Sequence, residues 1–268
     1  MSMSDPGRPA AIEPLLAEPG AAAILCDLDG TLAPIVERPE LAAVPDEARV
    51  ALARIADRYA AVAVVSGRRA SVARRIVGLE KLTYIGNHGF ELLLPNASEA
   101  RAAPELGADA RAAASFAGEL DAGELDAAGL RVEDKGPIVA LHWRGAADEA
   151  GAEALAERIA ARAEAAGLVL HRGRKVLELR PPGEVDKGTA VESLLLGTAA
   201  TAALYAGDDR TDLDAYSALD RLVACGRLGH AVRIGVASAE GPEEIALRAD
   251  VVVAGPAGLL PILAALAG

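Results

Sequence analysis

Four short apolar runs, residues 21–26, 61–65, 82–85 and 202–206, each stop at small polar or acidic residues, and this pattern constrains the fold more than any other feature of the chain. Continuous apolar runs of this length fit strands buried on both faces, as in a parallel sheet covered by helices. Between them, residues 46–59 and 71–76 carry the spacing of amphipathic helices. The alternation predicts an α/β class with a Rossmann-like parallel sheet, and it brings the residues that follow each run to one edge of that sheet. Ligands bind at the carboxyl edge of such sheets. The chain has 268 residues, 52% of them hydrophobic but only 3% aromatic, so its core must be packed from Ala, Leu and Val.

The run at 21–26 ends in Asp27-Leu28-Asp29-Gly30-Thr31. Side chains at i and i+2 of an extended segment point the same way, and Gly30 lets the chain turn at once, so the two acids can address opposite sides of one bound group. That suits a nucleophile beside an acid/base; taken alone, it equally suits aspartates and a glycine that simply end a strand. Gly207-Asp208-Asp209-Arg210-Thr211-Asp212 follows the run at 202–206 and adds acids at the same edge. Asp186-Lys187-Gly188 opens a helix that runs to Leu196 and adds a cation. Lysine is disfavoured at the positive end of a helix unless an anion is near. Acids, a cation and small residues gathered at one edge suggest phosphate chemistry.

At these residues the chain resembles the haloacid dehalogenase superfamily of phosphohydrolases. The four motifs come in order: Asp27 with Asp29, then Ser66-Gly67-Arg68 after a strand, then Lys187, then Asp208 with Asp209 and Asp212. Within that superfamily it is similar to the trehalose-6-phosphate phosphatases, through Ser66-Gly67-Arg68, Gly86-Asn87-His88-Gly89, Lys135-Gly136, His142-Trp143-Arg144 and the segment 174–181. Two positions depart from the pattern: Leu28 stands where relatives often carry an aromatic, and Leu213 where an acid commonly follows. Neither removes a group the chemistry needs.

The resemblance implies hydrolysis of a sugar phosphate through an aspartyl-phosphate, with Asp27 as nucleophile and Asp29 as acid and then base. It implies Mg²⁺ held by Asp27, Asp29 through its backbone carbonyl, and Asp208, with Asp209 and Asp212 orienting metal-bound water. Ser66, Gly67 and Lys187 would bind phosphate. Arg68, Asn87, His88, Lys135, His142, Arg144 and Glu178 would bind substrate.

Residues 1–98 and 184–268 are expected to form the catalytic core, and 99–183 an inserted, smaller α+β cap. The boundary falls where composition turns to Ala, Gly and acids after Pro95, and Pro181-Pro182-Gly183 marks the return. Within the insert, a strand at 138–144, a helix at 148–166 and strands at 168–172 and 175–180 are expected. Alternation puts His142 and Arg144 on one face of the first strand, and Glu178 and Arg180 on one face of the last. Such a face is either a solvated sheet surface or a sugar-binding surface.

A net charge of −12 argues against a nucleic-acid or anionic-membrane partner, since both need a basic face. Two cysteines cannot frame a disulfide scaffold; Cys26 and Cys225 read as buried free thiols of a protein in the reducing cytoplasm. Residues 1–10 carry no secretory leader pattern. A related sugar phosphatase for sucrose phosphate, mannosylglycerate phosphate or a hexose phosphate would keep the core motifs and change the cap. A catalytically silent sugar-phosphate-binding module would have lost Asp27 or Asp29, and both are present.

Overall fold

The structure is a computed structural model that describes residues 8–36, 38–238 and 241–268. Most of the residues behind the leader expectation, 1–7, therefore lie outside it. Twelve strands run in chain order: β1 (Ala22–Asp27), β2 (Ala61–Val65), β3 (Thr83–Gly86), β4 (Glu91–Leu93), β5 (Arg101–Ala102), β6 (Arg131–Asp134), β7 (Val139–His142), β8 (Val169–Gly173), β9 (Val176–Arg180), β10 (Ala202–Gly207), β11 (His230–Ala237) and β12 (Val251–Ala254). The chain forms two compact units, Met1–Arg101 with Val185–Gly268, and Ala102–Glu184.

In the larger unit the sheet order is β12-β11-β10-β1-β2-β3-β4-β5, parallel from β12 to β3, with β4 antiparallel to β3. β1 is central, and all six of its residues are buried. Its parity divides two cores. Ala22, Ile24 and Cys26 pack with Leu52, Ile55, Ile262 and Leu266 on one face, while Ala23 and Leu25 pack with Val191, Leu195, Tyr216 and Leu219 on the other. Asp27 continues the second series, toward the helix Lys187–Leu196. The chain leaves β1 in one direction through β2 and β3, and returns on its other side through β10 to β12, so the order reverses between β1 and β10. Crevices open at such switch points.

The smaller unit is an antiparallel sheet in the order β6-β7-β9-β8. Leu141, Leu177 and Leu179 from its inner face pack against Leu155, Ala156 and Ile159 of the helix Glu149–Ala165, whose N-cap Asp148 accepts the Gly151 N–H at 3.0 Å.

Two expectations are corrected, and one strand was not foreseen. The strand expected over 138–144 ends at His142: the 143–146 turn, closed by the Ala146 N–H to the Trp143 carbonyl at 3.1 Å and by Gly145 at φ +80°, takes Arg144 off the strand face. Cys225 is exposed, because it caps the helix Asp212–Ala224 on its outer side. β6 was not expected, since all four of its residues are exposed and give no apolar alternation.

Candidate active site

Registry sets the site. Cys26 pairs with Ala206 and Asp27 with Val65, so Asp27, Ser66 and Asp208 emerge side by side at the carboxyl edge. The next link is backbone: the Ser66 N–H donates to the Ile85 carbonyl at 2.8 Å, and the Asn87 N–H to the Arg68 carbonyl at 2.7 Å. Beyond β1 the chain folds back through Ala33 N–H to Leu28 carbonyl at 2.8 Å. Gly30 sits at φ +92°, and a Cβ there would lie 2.1 Å from Asp208 Oδ2, so this turn can press against the acid only because the residue is glycine.

The acids share one cation. Lys187, at the start of its helix and 2% exposed, donates to Asp27 Oδ1 at 2.7 Å and to Asp212 Oδ1 at 2.8 Å. Tyr205 also donates to Asp212 Oδ1 at 2.7 Å, and the Asp208 and Asp209 N–H groups donate to its Oδ2 at 2.9 and 3.0 Å. Both Asp212 oxygens are thus filled by protein donors. Thr31 donates to Asp208 Oδ1 at 2.7 Å. Burial would lower the Lys187 ammonium, but Asp27 and then Asp212 outweigh it and hold it well above its usual range. Burial raises Asp27 well above the usual carboxylate range, a shift that Lys187 opposes and Asp212 and Asp208 reinforce. Burial likewise brings Asp208 up to about 6 against the pull of its Thr31 hydrogen bond.

Asp27, Asp208 and Asp212 present carboxylate oxygens within 4.8 Å of one another, a grouping able to hold a metal ion. Asp27 Oδ2 and Asp208 Oδ2 accept no hydrogen bond among the described residues. Three buried acids share one ammonium, and a site of oxygen donors with two carboxylate oxygens left over fits a hard dication, which would favour their ionised forms.

Asp29 lies at the rim, 34% exposed, with both carboxylate oxygens held by the Arg68 guanidinium at 2.7 Å each. Asn87 is buried and His88 half-buried, both in the left-handed region (φ 50° and 58°), and the His88 ring lies so close that a Cβ on Gly67 would meet it at 2.5 Å. The thiol of Cys26 is pushed up to about 12 by burial and then by Asp27, which leaves it protonated and inert.

The other expected residues belong to the smaller unit. Glu178 accepts from Lys135 at 2.8 Å and from Arg180 at 2.7 Å. His142 Nε2 and Glu133 Oε2 are 2.8 Å apart, and Arg144 donates to the Arg174 carbonyl at 3.3 Å. The sheet face carrying Glu178 also presents Arg180 and His142, by strand parity and pairing. Sequence reasoning assigned no site role to Thr31, Tyr205 or Glu91. Thr31 lies inside a motif, but its partner Asp208 is 177 positions away, whereas Tyr205 stands just before a motif and reaches Asp212 within it. Glu91, 3% exposed, accepts the Ala70 N–H at 2.9 Å; a buried acid in a three-residue strand was its only signal.

The family model described as trehalose-phosphatase matches residues 25–248. The chain belongs to the trehalose-phosphatase family. A trehalose-phosphate phosphatase of Mycobacterium avium (strain 104) is 39% identical over 163 residues, 58% of this chain and 40% of that protein. A probable trehalose-phosphate phosphatase 4 of Oryza sativa subsp. japonica is 38% identical over 206 residues, 72% of this chain and 54% of that one. The chain therefore spans about half or less of the length of these curated relatives. Among solved structures, a trehalose-6-phosphate phosphatase related protein superimposes with a TM-score of 0.64 at 26% identity, covering 90% of this chain and 95% of that one. The motif residues Asp27, Ser66, Lys187 and Asp208 all fall inside the span of the trehalose-phosphatase match. No helix among the described residues is long and apolar enough to cross a membrane.

Proposed function

We propose that this chain hydrolyses trehalose 6-phosphate to trehalose and phosphate, with Mg²⁺ as its metal and residues 102–184 acting as a substrate-selecting cap. The observation that carries this reading is the convergence of Asp27, Asp208 and Lys187 at the sheet's carboxyl edge in a member of the trehalose-phosphatase family.

Phosphate monoesters resist water so strongly that enzymes reach accelerations of up to ~10²¹-fold, which demands both a strong nucleophile and charge neutralisation. Asp27 attacks phosphorus as the bond to the sugar oxygen breaks, giving an aspartyl-phosphate. Asp29 delivers a proton to the departing sugar oxygen and then takes one from the water that hydrolyses the intermediate. A carboxylate meeting a phosphate dianion faces roughly 4 kcal/mol per unit-charge pair at 4 Å and an effective dielectric near 20. Lys187 supplies part of the counter-charge, and the Ser66 hydroxyl and Gly67 N–H cradle the phosphoryl oxygens. Asp27, Asp208 and the Asp29 backbone carbonyl would hold the dication, which when bound neutralises phosphoryl charge. Asp209 is left to orient water there, while Asp212 serves by fixing Lys187.

In the cap, Glu178 accepts from sugar hydroxyls, and Lys135, His142 and Arg144 donate. Asn87 and His88 line the phosphate side. Two cysteines that are both free suit a reducing compartment, and we place the enzyme in the cytoplasm.

The test is phosphate release from trehalose 6-phosphate beside sucrose 6-phosphate, glucose 6-phosphate and a small aryl phosphate, with magnesium and with chelator. A strong magnesium-dependent preference for the trehalose ester is expected. Uniform weak activity on all four would reject the substrate.

A further inference from the structure

Arg68 was expected to touch substrate, yet its guanidinium is committed elsewhere. Nε and Nη2 bind the two oxygens of Asp29 at 2.7 Å each, and Nη1 donates to the Pro39 carbonyl at 2.9 Å, so all three nitrogens are engaged within the protein. The arginine is anchored at its base as well. Its N–H donates to Ser66 Oγ at 3.1 Å and its carbonyl accepts from Asn87. Arg68 is only 21% exposed, and a planar fork held at both ends loses little further freedom in gripping a carboxylate. Arg68 is the only side chain among the described residues that donates to the Asp29 carboxylate, so it sets the plane in which the two oxygens lie.

We infer that Arg68 is a positioning residue for the acid/base Asp29, rather than a substrate ligand. This rests on the proposed role of Asp29. In the first half-reaction the proton on one Asp29 oxygen passes to the bridging oxygen as the P–O bond breaks and its electron pair goes to the leaving oxygen. Asp29 is left as a carboxylate, the form that both Arg68 hydrogen bonds fit. In the second half-reaction that carboxylate, still held in plane, accepts a proton from the attacking water. A carboxylate free to rotate would present the proton in the right direction only part of the time. The link to Pro39 ties this alignment to the 39–41 turn that follows the first motif.

Leaving groups separate positioning from binding. A sugar oxygen needs a proton as it departs, whereas a nitrophenolate does not. The magnesium-loaded enzyme and its Arg68→Lys, Arg68→Ala and Asp29→Asn variants, with the Arg68→Ala/Asp29→Asn double variant, are assayed on trehalose 6-phosphate and on alkyl, phenyl and nitrophenyl phosphates. Thermal melts confirm that each is folded. Lysine keeps the charge but cannot grip both oxygens, so both Arg68 variants should lose about 10²-fold in kcat on poor leaving groups, with KM nearly unchanged. In kcat/KM, which reports only the steps through aspartyl-phosphate formation, the loss should shrink as the leaving group improves and vanish on nitrophenyl phosphate, while kcat there keeps whatever loss the second half-reaction carries. In the Asp29→Asn background, removing Arg68 should cost nothing more. A rise in KM with kcat intact on the poor leaving groups, an equal loss in kcat/KM on every leaving group, or full additivity with Asp29→Asn each overturns the inference. If the wild type cleaves the alkyl and aryl esters but not the trehalose ester, the substrate assignment fails while the leaving-group series still decides the role of Arg68.

Discussion

At the scale of single residues, the site depends on charge balance and on one missing Cβ. Lys187 stands between Asp27 and Asp212 with 2% of its side chain exposed, so Lys187→Met leaves two buried carboxylates facing each other. Breaking a buried pair from one side costs about 3–5 kcal/mol, and urea denaturation of the metal-free protein should show a loss of that order. Adding Asp27→Asn to it should restore part of the loss; if Lys187→Met costs almost nothing, the acids are relieved by protonation and the lysine is not their counter-charge. Gly30→Ala fails for a different reason. At φ +92°, with its Cβ 2.1 Å from Asp208 Oδ2, the new methyl must displace the acid. Stability should fall by about 1–3 kcal/mol, and calorimetric magnesium affinity by about 10- to 100-fold. Unchanged affinity would mean that Asp208 takes no part in holding the ion. The acids and Ser66 were legible because they follow apolar runs, and Lys187 because it opens a helix where a cation needs an anion nearby. Their bracing was not: Thr31 and Asp208 are 177 positions apart, and Arg68 and Asp29 are 39.

Elements show the same division between what periodicity carries and what contact decides. The runs at 61–65 and 202–206 and the helix from Lys187 to Leu196 match the structure closely, because a buried strand or an amphipathic turn writes itself into local spacing. β4, β5 and β6 are too short or too exposed to do so. The helix Ala70–Val77 illustrates a cap that no local pattern announces. Its N-cap residue, Arg69, offers no side-chain acceptor, and Glu91 on β4 reaches across to accept the Ala70 N–H at 2.9 Å. That helix begins two residues after Arg68, so Glu91 holds the far end of the loop that carries Ser66 and Gly67. Glu91→Ala should cost about 1 kcal/mol from the lost cap, with more from the space left around a side chain 3% exposed. The check is denaturant unfolding beside turnover. A variant as stable as wild type would show that Glu91 does not cap this helix.

On the scale of the whole chain, the two units carry separate optical reporters. The single tryptophan, Trp143, is buried in the smaller unit, while all four tyrosines, at 59, 84, 205 and 216, belong to the larger one. Metal should therefore act on the tyrosine signal, and the Glu178 charge on the tryptophan signal. An ion held by Asp27 and Asp208 stabilises only the unit that binds it, by about 2.7 kcal/mol when its concentration is a hundred times Kd. The tyrosine-monitored transition should rise with magnesium and fall with chelator, and the tryptophan transition should stay in place. Glu178 governs the smaller unit in acid. Burial pushes its carboxyl up, but the hydrogen bonds from Lys135 and Arg180 more than reverse this and bring it down to about 2 from an ordinary 4.5. A depressed folded value means that ionised Glu178 contributes its full stability above about 4.5, and that the contribution is lost as pH falls toward 2. Glu178→Gln should accordingly be less stable than wild type at neutral pH by tryptophan fluorescence, with the two curves converging toward pH 2. An offset that stays constant across that range would show that the carboxylate charge does not hold Lys135 and Arg180 in place, and the polar face of this sheet would then owe its order to packing against the helix Glu149–Ala165 alone.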